Sequence, residues 1–379
     1  MRVLSISTDR KIFDDVSSVL SRSLQYASKM QELHIVVFSL KSQNLERKNI
    51  GNLFIYPTNS TSKLFYIFDA IKIGAEIIKK NEFDINSSVI TCQDPFETGL
   101  VGVRLKKYFH FPLQIQVHTD FLSPYFKNNF LNKIRVFISK KTIPKADGIR
   151  VVSSVIKDSL LAKFNNLNGR IDVLPIFVDF DKFSKIEVNT KFFKDNRFDL
   201  IVLMASRLSG EKKIETGLEV LKKVILKYPK TGLYIIGSGP KEINLYEKSM
   251  KMGLKNNLSF LHWTNDLAQY YKQADIFLLT SEFEGYGMTL VEAGASGVPI
   301  VTTEVGIAKT DLFKDGVNAY VCPVGDVECL SGKLSDLITN KERRKSFVNN
   351  MRDSIKSISL TNEEYVKKYV SLLETIITK

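Results

Sequence analysis

Short apolar runs separated by amphipathic stretches recur along this chain, and the series starts twice. Residues 2–7, 33–39, 53–56, 88–92, 113–118 and 149–153 read as strands whose apolar residues are mostly continuous. Continuous rather than alternating apolar runs belong to parallel strands buried on both faces. Helical stretches between them imply strand–helix–strand units and a parallel sheet. The second series opens at 199–205 and continues at 233–236, 258–261, 275–280 and 299–303. Its first helix is explicit, because Ile214, Leu218, Leu221, Ile225 and Tyr228 fall on one face.

The pattern predicts an α/β fold of two Rossmann-like, doubly wound domains. The expected bounds are an N-terminal domain over 1–178, a charged, poorly periodic linker over 179–198 and a C-terminal domain over 199–358. A final helix is expected over 359–379, opening on the capping box Thr361–Glu364 and packing back across the linker. Two such sheets in series place a crevice at the carboxyl ends of their strands, where ligands of this architecture bind.

Composition narrows the class. With 379 residues, two domains are the natural count. Three cysteines, Cys92, Cys322 and Cys329, lack a C-x-x-C spacing, which argues for a reducing compartment and against a disulfide framework. No apolar run approaches a membrane span, and the opening MRVLSIST is too short for a signal peptide, so the expected location is cytoplasmic. The net charge is +13, and from Lys127 to Arg170 ten basic residues face only two acids. Residues 120–145 interleave Phe121, Leu122, Tyr125, Phe126, Phe130 and Phe137 with lysines and Arg135. That mixture suits an anionic membrane surface, with peripheral attachment, as well as it suits an apolar core under a solvated basic face.

Three segments carry candidate chemistry. The first runs from Ser281 to Ala293, SEFEGYGMTLVEA, after a strand. Gly285 and Gly287 allow a tight turn, and a helix from about Met288 presents free N–H groups, a setting for a diphosphate. Glu284 and Glu292 would repel phosphate unless they take hydroxyls, so sugar and ribose are their natural partners. The second is Ala205 to Lys213, ASRLSGEKK, where Arg207 and Lys212 at a strand's carboxyl end can neutralise a departing diphosphate. Pairing with Glu211 and Glu215 is the alternative. The third is QVHTD, placing His118 at the end of a first-half strand, either toward the crevice or as a structural histidine.

The ordered blocks ASRLSGEKK, IIGSGP, FLHWTNDLAQYYKQADIFLLTS, EGYGMTLVEAGASGVPIV and DGVNAYVCPVGD resemble the family 4 retaining glycosyltransferases of GT-B fold, the group 1 glycosyl transferases. QVHTD and ADGIRVVSS extend the resemblance more loosely into the first half. The resemblance implies two domains facing across a cleft and transfer from a nucleotide-sugar donor to a glycan or lipid-linked acceptor, with a hexosyltransferase-type activity. It implies no metal and no resident cofactor, the nucleotide-sugar being a co-substrate. It assigns Arg207 and Lys212 to the donor diphosphate, Glu284 to donor-sugar hydroxyls and Glu292 to the ribose. Gly285, Gly287, Met288 and Thr289 would meet sugar and phosphate, Trp263 the base and His118 the donor sugar. Glu284, His118, Arg207 and Lys212 form the expected catalytic set. The chain departs from the family at Ser7–Lys11, which lacks the usual glycine pair, at Ile176-Phe177 and at His262.

Two rival enzyme classes on the same fold are a sugar-nucleotide epimerase and a phosphorylase. A basic nucleic-acid-binding protein is the rival from another class. It has no recognised nucleic-acid motif and leaves the paired glutamates without a role, so no nucleic-acid partner is expected.

Overall fold

The computed structural model describes residues 1–167, 169–187, 197–264 and 266–378. They form two compact units, Met1–Pro175 with Leu360–Lys379, and Ile176–Ser359.

The first unit carries β1 (Arg2–Ser7), β2 (Glu32–Val37), β3 (Lys48–Ile50), β4 (Leu53–Pro57), β5 (Ser88–Cys92), β6 (Leu113–Val117), β7 (Gly148–Val151) and β8 (Ile171–Val173). They assemble as one sheet in the order β3-β4-β2-β1-β5-β6-β7-β8. Every pair is parallel except β3 with β4. The hairpin strand β3 is polar and short, without the apolar run that marks the others, and the sequence reading passes over it. The winding reverses between β1 and β5, and there Gln93 accepts bonds from the Ser7 hydroxyl and the Thr8 amide, both at 2.8 Å. The loop that lacks the family's glycines is thereby tied to the neighbouring strand end.

The C-terminal helix Asn362–Ile377 belongs to this unit and packs on β5, β6 and the helix Ser18–Ala27. Its Thr361–Glu364 capping box is formed. Its buried face is Tyr365, Val366, Tyr369, Val370, Leu373 and Ile376. Gly148 on β7 makes room for it, since a Cβ there would overlap Ile376. Tyr369 stacks on Tyr26 with ring centroids 4.4 Å apart.

The second unit carries β9 (Leu200–Ala205), β10 (Thr231–Ile236), β11 (Leu258–Leu261), β12 (Ile276–Leu279), β13 (Ile300–Thr303) and β14 (Tyr320–Cys322). Their order is β11-β10-β9-β12-β13-β14, all parallel. Ile214, Leu218, Leu221 and Val224 of the helix Ile214–Val224 sink into the core against β9, β10 and β12. The winding reverses between β9 and β12, so the loops after these two strands flank the position where doubly wound sheets take ligands. Within the stretch read as linker, Phe180–Ser184 is a helix that buries Phe183 against Tyr271, while 188–196 lies outside the described residues.

One expectation fails. Cys322 and Cys329 are joined by a disulfide, and only Cys92 is free. β14 ends at Cys322, and Asp326 caps the helix Val327–Thr339 by accepting from the Cys329 amide. The turn folds the first helical turn back onto the strand end, which linear spacing does not reveal.

Candidate active site

The segments after β9 and β12 are stitched together before any charged group is considered. The Thr280 hydroxyl bonds the carbonyls of Lys212 and Lys213, at 3.2 and 2.8 Å, and the Glu282 amide donates to the Glu211 carbonyl at 2.9 Å. Lys213 turns the chain through the left-handed region at φ 45°, directly before the helix Ile214–Val224.

This stitching sets Lys212 Nζ 2.7 Å from Glu284 Oε1, with side-chain exposures of only 13% and 9%. The Ser281 hydroxyl donates to the same carboxylate oxygen at 2.7 Å. Lys213 and Glu282 pair alongside at 2.9 Å. Arg207 reaches Glu211 at 3.3 Å but leaves 78% of its side chain in solvent. Burial raises the Glu211 carboxyl, but the Ser209 hydroxyl and the charges of Arg207 and Lys212 outweigh it and hold the group below its ordinary value.

The Glu284 loop is anchored on its far side. Thr303 donates its hydroxyl to the Ser281 carbonyl at 2.6 Å, and the Ile307 amide donates to the Tyr286 carbonyl at 2.7 Å. Gly287 adopts φ 101°, a conformation costly for any side chain, and the helix Met288–Ser296 begins at the next residue with no side-chain cap. Its first-turn amides, from Met288 and Thr289, therefore stand at the mouth of a loop that also holds Gly285 and Glu284. One turn further, Glu292 lies within bonding distance of the Tyr271 hydroxyl, at 3.3 Å. Burial raises the Glu292 carboxyl above its ordinary value.

Lys212 and Glu284 are thus brought into direct contact, with Arg207 on the same turn and Glu292 on the helix that follows. Trp263 stands elsewhere, past the edge strand β11 and 54% exposed. His118 belongs to the first unit, where its Nε2 lies 3.2 Å from Gln116 Oε1. Burial, and then the charge of Arg150, pull its pKa down to about 3. Sequence reasoning missed Ser281, Thr280 and Tyr271. Ser281 precedes Glu284 by three residues, a spacing at which a serine reaches a carboxylate, but Tyr271 carries no local signal at all.

The arrangement has a definite chemical capacity. At the β9–β12 junction Glu211 and Glu284 occupy Arg207 and Lys212. A diphosphate at the uncapped helix would offer these cations denser charge and release Glu284 to accept bonds from hydroxyls.

Residues 187–354 match the family described as Glycosyl transferases group 1, and residues 20–182 match Glycosyltransferase Family 4. The alpha-monoglucosyldiacylglycerol synthase of Streptococcus pneumoniae is 27% identical over 307 residues, spanning 76% of this chain and 68% of that protein. Among solved structures, sucrose-phosphate synthase from Thermosynechococcus elongatus superposes with a TM-score of 0.81 at 15% identity, over 100% of this chain and 99% of the other. The HepE protein of Anabaena, solved in complex with UDP and glucose, does so with a TM-score of 0.75 at 17% identity, over 99% of this chain and 100% of the other. Both structural likenesses are to the GT-B fold. With both halves matched in order, this chain belongs to the family 4 glycosyltransferases.

Proposed function

We propose that this glycosyltransferase takes its sugar from a nucleotide-sugar, retains the anomeric configuration and needs no divalent cation. The observation that carries this reading is the nearly buried Lys212–Glu284 pair beside the uncapped helix at Met288. HepE, solved in complex with UDP and glucose, supports a nucleoside diphosphate as the leaving group. In the step itself, the bond from the anomeric carbon to the diphosphate oxygen breaks and its electron pair leaves with the phosphate. Arg207, Lys212 and the helix amides take up that charge, as fixed donors that need no reorganisation. The acceptor hydroxyl oxygen bonds the anomeric carbon on the face just vacated, and its proton passes to the departing phosphate oxygen. Glu284 holds the sugar hydroxyls, Glu292 the ribose, Trp263 lies by the base, and His118 is assigned to the donor sugar.

The test is a panel of UDP-, GDP- and ADP-sugars, scored for release of nucleoside diphosphate and for the anomer of the product by NMR. Transfer from at least one donor with the donor's anomeric configuration supports the reading. Inversion, or release from none, overturns it.

A specific surface favours a lipid-linked acceptor reached from an anionic membrane. On the helix Phe130–Thr142, Phe130 is 79% exposed, with Leu131, Ile134 and Phe137 also turned outward. Phe121, by contrast, is core. Beside this apolar stripe a cleft of about 490 Å³ is lined by Lys127, Lys133, Lys140 and Lys163. No described helix is long and apolar enough to cross a membrane, so attachment would be peripheral. The Streptococcus relative, an alpha-monoglucosyldiacylglycerol synthase, agrees with such an acceptor. Flotation with anionic vesicles but not neutral ones is the expected result, and equal recovery from both removes this second reading.

A further inference from the structure

Behind His118 lies an arginine with an unusual setting. Arg150 on β7 is only 5% exposed, yet no carboxylate lies within ion-pair distance of it among the described residues. A buried charge without a counter-charge is costly and is tolerated only where neutral acceptors surround it. Here Nη2 donates to the Tyr365 hydroxyl at 2.6 Å and to the Leu174 carbonyl at 3.3 Å. The rings of Tyr365 and Tyr369 lie beneath the guanidinium, with centroids at 5.9 and 5.5 Å. Nη1 donates to Gln116 Oε1 at 3.0 Å, across the β6–β7 register that sets these two residues side by side.

The donor inventory then determines the rest. A guanidinium has only N–H groups, so the Gln116 atom facing it is the oxygen. The other end of the amide meets Thr91 Oγ1 at 3.1 Å and the Tyr369 hydroxyl at 3.2 Å, both able to accept. Thr91 in turn donates its own proton to Gln114 Oε1 at 3.1 Å, which leaves its lone pairs for Gln116. Flipping the amide would press two N–H groups against the guanidinium and is excluded. Gln116 Oε1 is therefore an acceptor toward its second neighbour as well, and the His118 nitrogen that meets it must carry a proton.

We propose that Arg150 acts through Gln116 as a positioning residue that holds His118 in the neutral tautomer protonated at Nε2, leaving Nδ1 as a hydrogen-bond acceptor. No protein group among the described residues bonds Nδ1. This deepens the assignment of His118 to the donor sugar and rests on it. An Nδ1 lone pair accepts from a hydroxyl and repels a carboxylate or a carbonyl, so at this point the site selects a sugar bearing a free hydroxyl rather than an acidic sugar. The depressed pKa of His118, from burial and the nearby guanidinium, agrees with a ring that stays neutral. The C-terminal helix enters the device directly, since Tyr365 and Tyr369 hold the arginine in place.

The test reads the ring itself, without donor or acceptor. The chain has four histidines, so long-range proton–nitrogen NMR spectra of histidine-labelled protein are assignable through His118→Asn. The wild type should show His118 neutral and singly protonated at Nε2 from pH 5 to 8. Gln116→Glu keeps an acceptor oxygen and should keep that tautomer while raising the pKa. Gln116→Met removes the acceptor and should give mixed tautomers, and Arg150→Met should do the same. The signals of the other three histidines and the thermal transition report whether each variant folds. If Arg150→Met does not fold, the two Gln116 variants decide the matter. A wild-type ring protonated at Nδ1, or charged at pH 7, overturns the proposal, as does a Gln116→Met protein with unchanged His118 signals. If the signals behave as expected but His118→Ala keeps full turnover, the tautomer lock stands and the donor-sugar assignment falls.

Discussion

Lys212 and Arg150 are both largely withdrawn from water, one in each unit, and the chain treats them in opposite ways. Lys212 sits 2.7 Å from the Glu284 carboxylate, on loops that meet at a sheet's switch point. Arg150 is held by amide, hydroxyl and carbonyl oxygens and by two aromatic rings, with no carboxylate partner among the described residues. A paired cation can exchange its partner when a denser anion arrives, so its charge becomes available only with ligand. An arginine among neutral acceptors has nothing to exchange, and its field and its hydrogen bonds act permanently on whatever lies beside it. The first arrangement suits a group that meets developing charge. The second suits a group that fixes another side chain.

The comparison can be broken at several strengths. Glu284→Ala should have the largest effect, because it removes the partner of Lys212 and the hydroxyl acceptor together. Turnover should fall on the order of 10²–10³ with the fold intact by circular dichroism. Near-wild-type turnover would erase the distinction drawn for the second unit. Tyr365→Phe is next. It leaves Arg150 Nη2 short of its 2.6 Å acceptor and should cost about 1.5–3 kcal/mol in urea denaturation, the usual value for a bond to a charged group. A change below a few tenths of that would show the arginine to be solvated by some other route. Glu292→Ala should raise KM for the donor by about tenfold with kcat within a few-fold, because a ribose contact is the same in ground and transition states. A fall in kcat at unchanged KM would move Glu292 into the chemistry.

A further effect is on pH dependence. His118 has a folded pKa near 3 against an ordinary value of 6.5. Its contribution to stability is therefore present above the ordinary value and is lost as pH falls from about 6.5 toward 3, where the unfolded chain binds the extra proton. Activity between pH 5 and 8 should show no step assignable to His118, and His118→Asn should flatten the acid limb of the stability profile. A titration near 6.5 that disappears in His118→Asn would contradict the buried, neutral ring.

The two regions also differ in how much of them could be read from residues alone. The β9 and β12 loops were legible because their chemistry is local: Arg207 and Lys212 lie within one turn, and Glu284, Gly287 and Glu292 within another. Parallel strands were legible because burial on both faces leaves continuous apolar runs. The Arg150 network was not legible, because Thr91, Gln116, Arg150, Tyr365 and Tyr369 come from three strands and the last helix, and only the sheet register aligns them. The Cys322–Cys329 bridge escaped for a related reason, since a helix cap rather than a cysteine spacing brings the two together.

The central claim is that protein cations at the β9–β12 junction take the charge of the departing diphosphate. It is tested most directly by measuring nucleoside diphosphate release under EDTA, for the wild type and for Lys212→Ala, with the donor that the panel identifies. Wild-type release should be unchanged by EDTA, and the Lys212→Ala rate should fall on the order of 10²–10³. Wild-type activity abolished by EDTA and restored by Mg²⁺ or Mn²⁺, together with a Lys212→Ala protein that turns over normally, would contradict it.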